Sequence, residues 1–178
     1  MADAMKSILP EAAKKYIGIE TGVVAACDPV ESGAVRRYAH AIMDADAIYA
    51  QPDVANPYGG AVAPLIYPTH MFRRAFDEAD PLEQSAQNSD YDGSSVTSTQ
   101  GLPEIEPLKH LSILNGGASM EFFRYARHGE AVKLRSRYAD ISEKQTSKGP
   151  MVFVVIESDY LTADDELLCR LSRTYIRR

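Results

Sequence analysis

The sequence lacks tryptophan, holds only two cysteines and contains no long apolar run. Cys27 and Cys169 lie far apart, without the spacing of metal ligands, and each stands in an apolar stretch typical of a buried free thiol. No run approaches the roughly 18 apolar residues of a membrane span, and none follows the first lysine as in a signal peptide. We therefore expect a cytoplasmic protein with no membrane segment.

Positive charge is also in the minority, with 19 Lys and Arg against 25 Asp and Glu and a net charge of -6. Apart from Arg177 and Arg178 the basic residues are scattered, so the sequence shows no patch of the kind that binds nucleic acid. The four histidines lack the close spacing of a metal pair. We expect no metal site and no nucleic-acid partner. The length of 178 residues predicts a single domain, 1–178.

One stretch, residues 56–72, organises the rest of the chain. It opens with Gly59 and Gly60, which suit a turn that exposes the backbone, and it continues with small and apolar residues. The apolar positions that follow recur at helical spacing: Leu65, Ile66, Thr69, Phe72 and Phe76. The pattern predicts a largely buried helix around which a sheet curls.

Three elements precede that helix. Residues 3–16 predict a short helix interrupted by proline, and residues 19–27 predict a first strand. The run Asp28-Pro29-Val30-Glu31 has an N-cap acceptor, a proline at the first helical position and a glutamate three residues after the cap. A capped helix is therefore expected over about 29–43.

The second half of the chain predicts a loop and then strands. Polar residues dominate from 77 to about 107, which predicts a long loop, either disordered or facing a substrate. The strands expected after it are an interrupted one over 108–124, a half-buried one over 131–141, a central one over 151–156 and a last one over 167–176. Strands gathered after helices indicate an α+β fold with an antiparallel sheet.

Three separated segments carry a family resemblance: Gly59–Pro64, Glu121–Val132 and Thr174–Arg178. With this order of elements, they resemble the MaoC-like acyl dehydratases and their FAS1-like dehydratase relatives. The resemblance implies the hot-dog fold, in which an antiparallel sheet wraps around a central helix. It also implies hydration or dehydration of an acyl-CoA thioester, with no cofactor besides the coenzyme A of the substrate.

The resemblance also implies a catalytic segment directly after the capped helix, where active relatives carry Asp-x-Asn-Pro-x-His. This chain has Asp44-Ala45-Asp46-Ala47-Ile48-Tyr49, so that Asp44 matches the aspartate and Tyr49 takes the place of the histidine. Tyrosine has an ordinary pKa of about 10 and does not accept a proton from water at neutral pH. The family's backbone donor to the thioester carbonyl corresponds to Gly60, which is expected at the start of the buried helix.

Further residues are implied to contact the substrate. The resemblance brings Gly59, Ala63 and Tyr67 to the acyl-binding side of the pocket. Arg124 and Arg127 could meet the phosphates of coenzyme A, because guanidinium groups match phosphate geometry, although solvated arginines at a strand edge are at least as common.

Three functions stay open at this stage. The favoured one is an acyl-CoA hydratase/dehydratase subunit that binds the acyl group and takes its catalytic aspartate and histidine from a second hot-dog chain. The second is a self-sufficient homodimer that uses Asp44 with Tyr49 or with a histidine from elsewhere. The third is a non-catalytic module that binds acyl-CoA. A hot-dog thioesterase is disfavoured, because no acidic residue before Asp77 has an obvious position in the predicted helix.

Overall fold

A computed structural model of the protein describes residues 7–50, 55–73, 78–90 and 101–178. Its α-helices are α1 Glu11–Lys14, α2 Ser32–Ala41 and α3 Pro81–Ala86. Short 3-10 helices span Ala47–Tyr49, Tyr67–His70 and Glu106–Leu108. The strands are β1 Val24–Ala25, β2 Ile113–Phe122, β3 Val132–Thr146, β4 Gly149–Thr162 and β5 Leu167–Arg177.

The described strands form one antiparallel sheet in the order β1-β3-β4-β5-β2. The α+β class is confirmed, and β4 lies in the middle of the sheet as its apolar sequence predicts. The register of β2 shifts between Asn115 and Gly117, which confirms the interruption expected at the glycine pair. In β3 the even-numbered residues Val132, Leu134 and Ser136 are buried, because alternate side chains point to the same face.

The long helix predicted after Gly60 is not formed in the described residues. The chain is irregular or extended over 61–66, and Tyr67–His70 makes a single 3-10 turn. Pro64 and Pro68 explain the difference, since each lacks a backbone N–H and disfavours helical geometry at the residue before it. Phe76, the last apolar position of the predicted pattern, lies outside the described residues.

The capped helix begins later than predicted. Its N-cap is Glu31, in extended conformation, and no side chain caps it. The amide of Val30 donates to the carbonyl of Glu130 (3.0 Å), and the amide of Gly129 donates to the carbonyl of Val30 (2.8 Å). Residue 30 is thus held as an extended segment by the strand connection, which prevents Asp28 from acting as the cap.

Two early elements are shorter than expected. Only Glu11–Lys14 is helical in the predicted 3–16 segment, of which residues 3–6 lie outside the described residues. The first strand is reduced to β1 and a bridge between Glu20 and Arg137. Pro10, Gly18 and Gly22 lie in this part of the chain, and they limit the length of the helix and of the strand.

The predicted loop 77–107 contains structure at both ends, while residues 91–100 lie outside the description. Its first part forms α3. In its last part only Leu102 and Ile105 are buried, each 2% exposed. These two apolar residues of a polar stretch therefore enter the core.

The buried apolar residues form two main clusters. The site-end core comprises Val30, Val35, Ala39, Tyr49, Val62, Ala63, Tyr67, Ala126, Val132 and Leu168. The far-end core comprises Ala13, Leu102, Ile105, Leu108, Tyr138, Ile141, Val152, Val154 and Ile156. Both cysteines are free thiols, but only Cys169 is buried, so the prediction that Cys27 is buried is wrong.

No helix in the described part of the chain has both the length and the apolar composition that spanning a membrane requires. Within the same residues, no group of three His, Cys, Asp or Glu side chains is arranged to hold a metal ion.

Candidate active site

The segment Asp44–Tyr49 is aimed by the end of α2. Met43 has φ of 57°, the amide of Met43 donates to the carbonyl of His40 (3.1 Å), and the amide of Asp44 donates to that of Ala39 (2.9 Å). These two bonds form a Schellman ending, which turns the chain sharply away from the helix axis. The residue at its left-handed position is normally glycine, so the methionine here costs conformational energy.

Two aspartates then organise the turn. The Oδ1 atom of Asp44 accepts from the amide of Asp46 (3.2 Å), and the Oδ1 atom of Asp46 accepts from the amide of Ile48 (3.1 Å). Asp46 is thereby the N-cap of the 3-10 helix that ends at Tyr49. The result is that Tyr49 points inward and is only 8% exposed.

The side chain of Tyr49 lies near the carboxylate of Asp44. Burial raises the pKa of Tyr49 to about 12, and the negative charge of Asp44 adds to that rise. Tyr49 is therefore a neutral hydrogen-bond donor at physiological pH. It cannot replace a histidine as the base that takes a proton from water.

Two more tyrosines adjoin this pair. The rings of Tyr58 and Tyr125 lie 4.7 Å apart. Burial is the largest cause that raises the pKa of Tyr125. The charges of Tyr58 and Asp46 raise it further. The sequence analysis did not identify Tyr58 or Tyr125, and the turn-forming residues around Tyr58 were the one available signal.

The glycine turn lies beside the same cluster. Gly59 and Gly60 have φ of 77° and 139°, a region that favours glycine. Asn56 holds the turn, since its side chain accepts from the amide of Tyr58 (2.9 Å) and donates to the carbonyl of Gly60 (3.1 Å). Among the described residues, the amide of Gly60 has no protein acceptor, whereas the turn at residues 57–58 directs the amide of Gly59 towards the carbonyl of Asn56. They are not at a helix N-terminus, however, so the expected contribution of a helix dipole is absent.

Backbone hydrogen bonds place this turn next to the Asp44–Tyr49 segment. The amide of Val62 donates to the carbonyl of Ile48 (3.0 Å), and the amide of Ala63 donates to that of Ala126 (2.8 Å). The amide of His128 donates in turn to the carbonyl of Ala61 (3.1 Å). Residues 61–63 are thus held between the Tyr49 segment and the strand connection 126–128.

The family follows from a comparison with known sequences and structures. A model described as "FAS1-like, dehydratase domain region" matches residues 15–171. The chain belongs to the FAS1-like dehydratase family. A comparison with curated proteins gave no match.

Solved structures show the same fold. The chain is similar to the ChsH1-ChsH2 complex from Mycobacterium tuberculosis, with a TM-score of 0.66, 17% identity, and coverage of 94% of this chain and 89% of that chain. It is similar to the (R)-hydratase from A. caviae involved in PHA biosynthesis, with a TM-score of 0.55, 10% identity, and coverage of 89% and 94%. The HadBC (3R-hydroxyacyl-ACP dehydratase) complex of M. tuberculosis gives a TM-score of 0.54, 16% identity, and coverage of 87% and 94%. At these identities the likeness establishes the fold, which is the hot-dog fold of MaoC-like proteins.

In this FAS1-like dehydratase chain, Arg124 is fully used by the protein. Its five donors form hydrogen bonds to Glu130, to Glu166 and to the carbonyl of Tyr125. Glu130 also accepts from the amide of Arg127 (3.0 Å). The expected phosphate contact therefore finds no free donor on Arg124, whose observed role is to fix the strand connection.

The contacts of Arg124 also shift the pKa values of Arg124 and Glu130. The hydrogen bond to Glu130 raises the pKa of Arg124. Burial acts to raise the pKa of Glu130, but the bonds from Arg124 and from the Arg127 amide outweigh it, so the pKa of Glu130 is lowered overall. Both groups are ionised at neutral pH.

Arg127 differs from Arg124. It is exposed, and its guanidinium has no partner among the described residues. A phosphate contact by Arg127 is thus open, and it stays a prediction.

Ala63 and Tyr67 lie inside the site-end core instead of facing open space. Ala63 is fully buried, and Tyr67 is 7% exposed with its ring 5.3 Å from that of Tyr38 in an edge-on contact. Burial raises the pKa of Tyr67. Both residues therefore pack in the site-end core, and an acyl contact by either stays a prediction.

Proposed function

We propose that this chain is the acyl-binding, catalytically incomplete subunit of a hydratase/dehydratase acting on acyl-CoA thioesters. The reaction adds water across a 2-enoyl thioester, with the hydroxyl going to C3 and the proton to C2, or reverses that addition. A second hot-dog chain supplies the aspartate and histidine that carry the protons. No other cofactor is required, and the cytoplasm is the expected location.

The state of Tyr49 is the observation that carries this proposal. The family position of the general base holds a phenol whose pKa is raised to about 12 by burial and by the charge of Asp44. General acid–base catalysis contributes about 10²- to 10⁴-fold in rate and needs a group that titrates near the working pH. The Asp44–Tyr49 pair has the family position but does not have that property.

Two features of the neighbouring backbone support a substrate-binding role. The amide of Gly60 has no acceptor among the described residues and stands next to the Tyr49 segment, which suits it to hold a thioester carbonyl oxygen. Arg127 is exposed on the neighbouring connection, where it can meet a coenzyme A phosphate. Carbonyl binding without a base is the arrangement expected of a substrate-holding subunit.

The sheet also offers an edge for a partner. Within the described residues β2 pairs only with β5, so its other edge is open over Ile113–Phe122. That edge carries no lysine or arginine and ends at Phe122 and Phe123, which are 43% and 54% exposed. Proteins usually protect such an edge, and pairing with a second sheet does so. Two of the similar structures, ChsH1-ChsH2 and HadBC, are complexes of two named chains.

The proposal is tested by measuring hydration of a 2-enoyl-CoA by three samples: this chain alone, a hot-dog chain encoded beside it that carries Asp-x-Asn-Pro-x-His, and the two together. We expect acyl-CoA binding by this chain, and turnover only when the second chain is present. The Asp44→Asn variant should retain most of the turnover of the mixture.

The two alternatives give different results. Efficient turnover by the isolated chain, abolished by Asp44→Asn, would establish a self-sufficient homodimer instead. Tight acyl-CoA binding with no turnover in any mixture would establish a non-catalytic module.

A further inference from the structure

Asn56 holds the glycine turn from its N-terminal side. Its Oδ1 atom accepts from the amide of Tyr58 (2.9 Å), and its Nδ2 atom donates to the carbonyl of Gly60 (3.1 Å). The turn at residues 57–58 also directs the amide of Gly59 towards the main-chain carbonyl of Asn56. The carboxamide is the side-chain group that can accept and donate in this way at once, so both ends of the turn depend on one residue.

These contacts matter because of the peptide plane that lies between them. The amide of Gly60 shares its plane with the carbonyl of Gly59, and both glycines have a positive φ, where the lack of a Cβ leaves the backbone free to rotate. The preceding plane carries the amide of Gly59, and the following plane carries the carbonyl of Gly60. Since Asn56 engages both neighbouring planes, it sets the direction in which the Gly60 amide points.

The chain on the C-terminal side of the turn is fixed without Asn56. The carbonyl of Ala61 accepts from the amide of His128 (3.1 Å), and the amide of Val62 donates to the carbonyl of Ile48 (3.0 Å). Loss of the Asn56 side chain should therefore leave this segment in place and release only the glycine pair. Glycine has more backbone freedom than any other residue, so a released pair samples many directions.

Open space adjoins the turn. A Cβ placed on Gly59 or on Gly60 would meet no atom of the described residues within 4 Å. The amide of Gly60 likewise has no protein acceptor among them. A backbone donor stabilises the oxygen of a substrate carbonyl best when its direction is fixed before the substrate arrives. The bonds from Asn56 supply that fixed direction.

We propose that Asn56 is a positioning residue for the thioester carbonyl. By holding the two peptide planes that flank the Gly60 amide, it aims this amide at the carbonyl oxygen, and it acts through Gly60 without a substrate contact of its own. This inference rests on the proposed binding of acyl-CoA thioesters by this chain.

The test is isothermal titration calorimetry of the full chain with butanoyl-CoA and with S-butyl-CoA, the thioether of the same length that lacks the carbonyl. We expect the wild type to bind the thioester about 3- to 10-fold more tightly, the effect of one hydrogen bond between neutral groups. Asn56→Ala removes both side-chain bonds and should reduce this preference to less than about twofold. Asn56→Asp keeps the acceptor for the Tyr58 amide but loses the donor to the Gly60 carbonyl, and it should reduce the preference as well.

Asn88→Asp is the matched control. The Oδ1 atom of Asn88 accepts from the amide of Asp90 (3.0 Å) in a separate turn, so the variant makes the same chemical change outside the glycine turn and should keep the wild-type preference. The preference is a ratio of two affinities. A general defect in folding or in coenzyme A binding therefore weakens both compounds and leaves the ratio unchanged.

Three outcomes would count against the role of Asn56. A wild-type preference that persists in both Asn56 variants would overturn the positioning role, while acyl-CoA binding would stand. Equal affinity of the wild type for the two compounds would overturn the carbonyl contact by Gly60 and the role of Asn56 with it. Binding of neither compound by the wild type would overturn the proposed function itself.

Discussion

The two ends of the sheet differ in what holds them together. The far-end core is filled by large aliphatic side chains, among them Ile105 and Leu108, brought from the distant 101–111 segment. The site-end core is rich in alanine, valine and tyrosine, and its segments are joined by backbone hydrogen bonds and by the Arg124–Glu130 ion pair.

This difference separates stability from function. Packing of large side chains contributes free energy in proportion to the volume filled, whatever the exact geometry of a neighbouring turn. Hydrogen bonds contribute less to net stability but specify direction, which a carbonyl-binding turn needs. The far end should therefore govern unfolding, and the site end should govern the position of the glycine turn.

The largest effect is expected in the far-end core. Leu108 is fully buried, so Leu108→Ala should lower the free energy of unfolding by about 2–5 kcal/mol through lost burial and a residual cavity. Denaturant unfolding measures this. Leu114→Ala is the control, because Leu114 is 38% exposed and should cost about 1 kcal/mol or less. Equal losses for the two variants would remove the basis of the comparison.

The next effect belongs to the ion pair at the site end. Glu130→Gln should cost about 1–3 kcal/mol at neutral pH, since it weakens charged hydrogen bonds from Arg124 and from the Arg127 amide. The lowered pKa of Glu130 means that its contribution is present above the carboxyl pKa of the unfolded chain and is lost as the pH falls through the folded value.

The difference between wild type and Glu130→Gln should accordingly shrink below about pH 4. Denaturant unfolding at pH 7 and at pH 3 measures it. Glu166→Gln is the matched control, because Glu166 has a side chain 65% exposed and should change stability less. A difference that grows on acidification would contradict this account.

A smaller effect is expected for the Tyr49 hydroxyl. Tyr49→Phe keeps the ring and removes the hydroxyl near Asp44, at a cost of about 1 kcal/mol. Because the folded pKa of Tyr49 is raised to about 12, its stabilising contribution is complete below the ordinary tyrosine pKa and is lost as the pH rises towards 12. The difference in unfolding free energy between wild type and Tyr49→Phe should therefore vanish at high pH. In an ultraviolet titration, the variant should lack one phenolate transition that the wild type shows near pH 12.

The smallest effect has the opposite sign. Met43→Gly should stabilise the chain by about 0.4–1 kcal/mol, because glycine accepts the positive φ at the end of α2 without strain. Met43→Ala removes the side chain, which is 92% exposed, but keeps the strain, and should give no such gain. Equal thermal stability of these two variants would contradict the assignment of strain to the backbone.

The sequence predicted the sheet better than it predicted the helices. Strand alternation depends on neighbours two residues apart, so β3, β4 and β5 were found with their order, although their ends lay up to several residues further out. The prediction of a helix after Gly60 is wrong because Pro64 and Pro68 disfavour the helix that the apolar spacing indicates. The cap at Asp28 failed because its pattern is local, while the bonds from residue 30 to Gly129 and Glu130 are not.

The candidate site divides in the same way. The family resemblance pointed to Asp44, Tyr49 and the Gly59–Gly60 turn, and their role in the site stays a prediction. The sequence could not reveal that the guanidinium of Arg124 donates its hydrogen bonds to Glu130 and Glu166, since those partners are 6 and 42 residues away.

The residue types therefore determined the family, the antiparallel sheet and the presence of a tyrosine at position 49. Only the tertiary structure decided that Tyr49 is buried near Asp44, that the glycine turn is held by backbone pairing without a helix behind it, and that Arg177 is buried. The physical reason is that burial and hydrogen-bond partners depend on contacts between distant segments, and these contacts set pKa values and free donors.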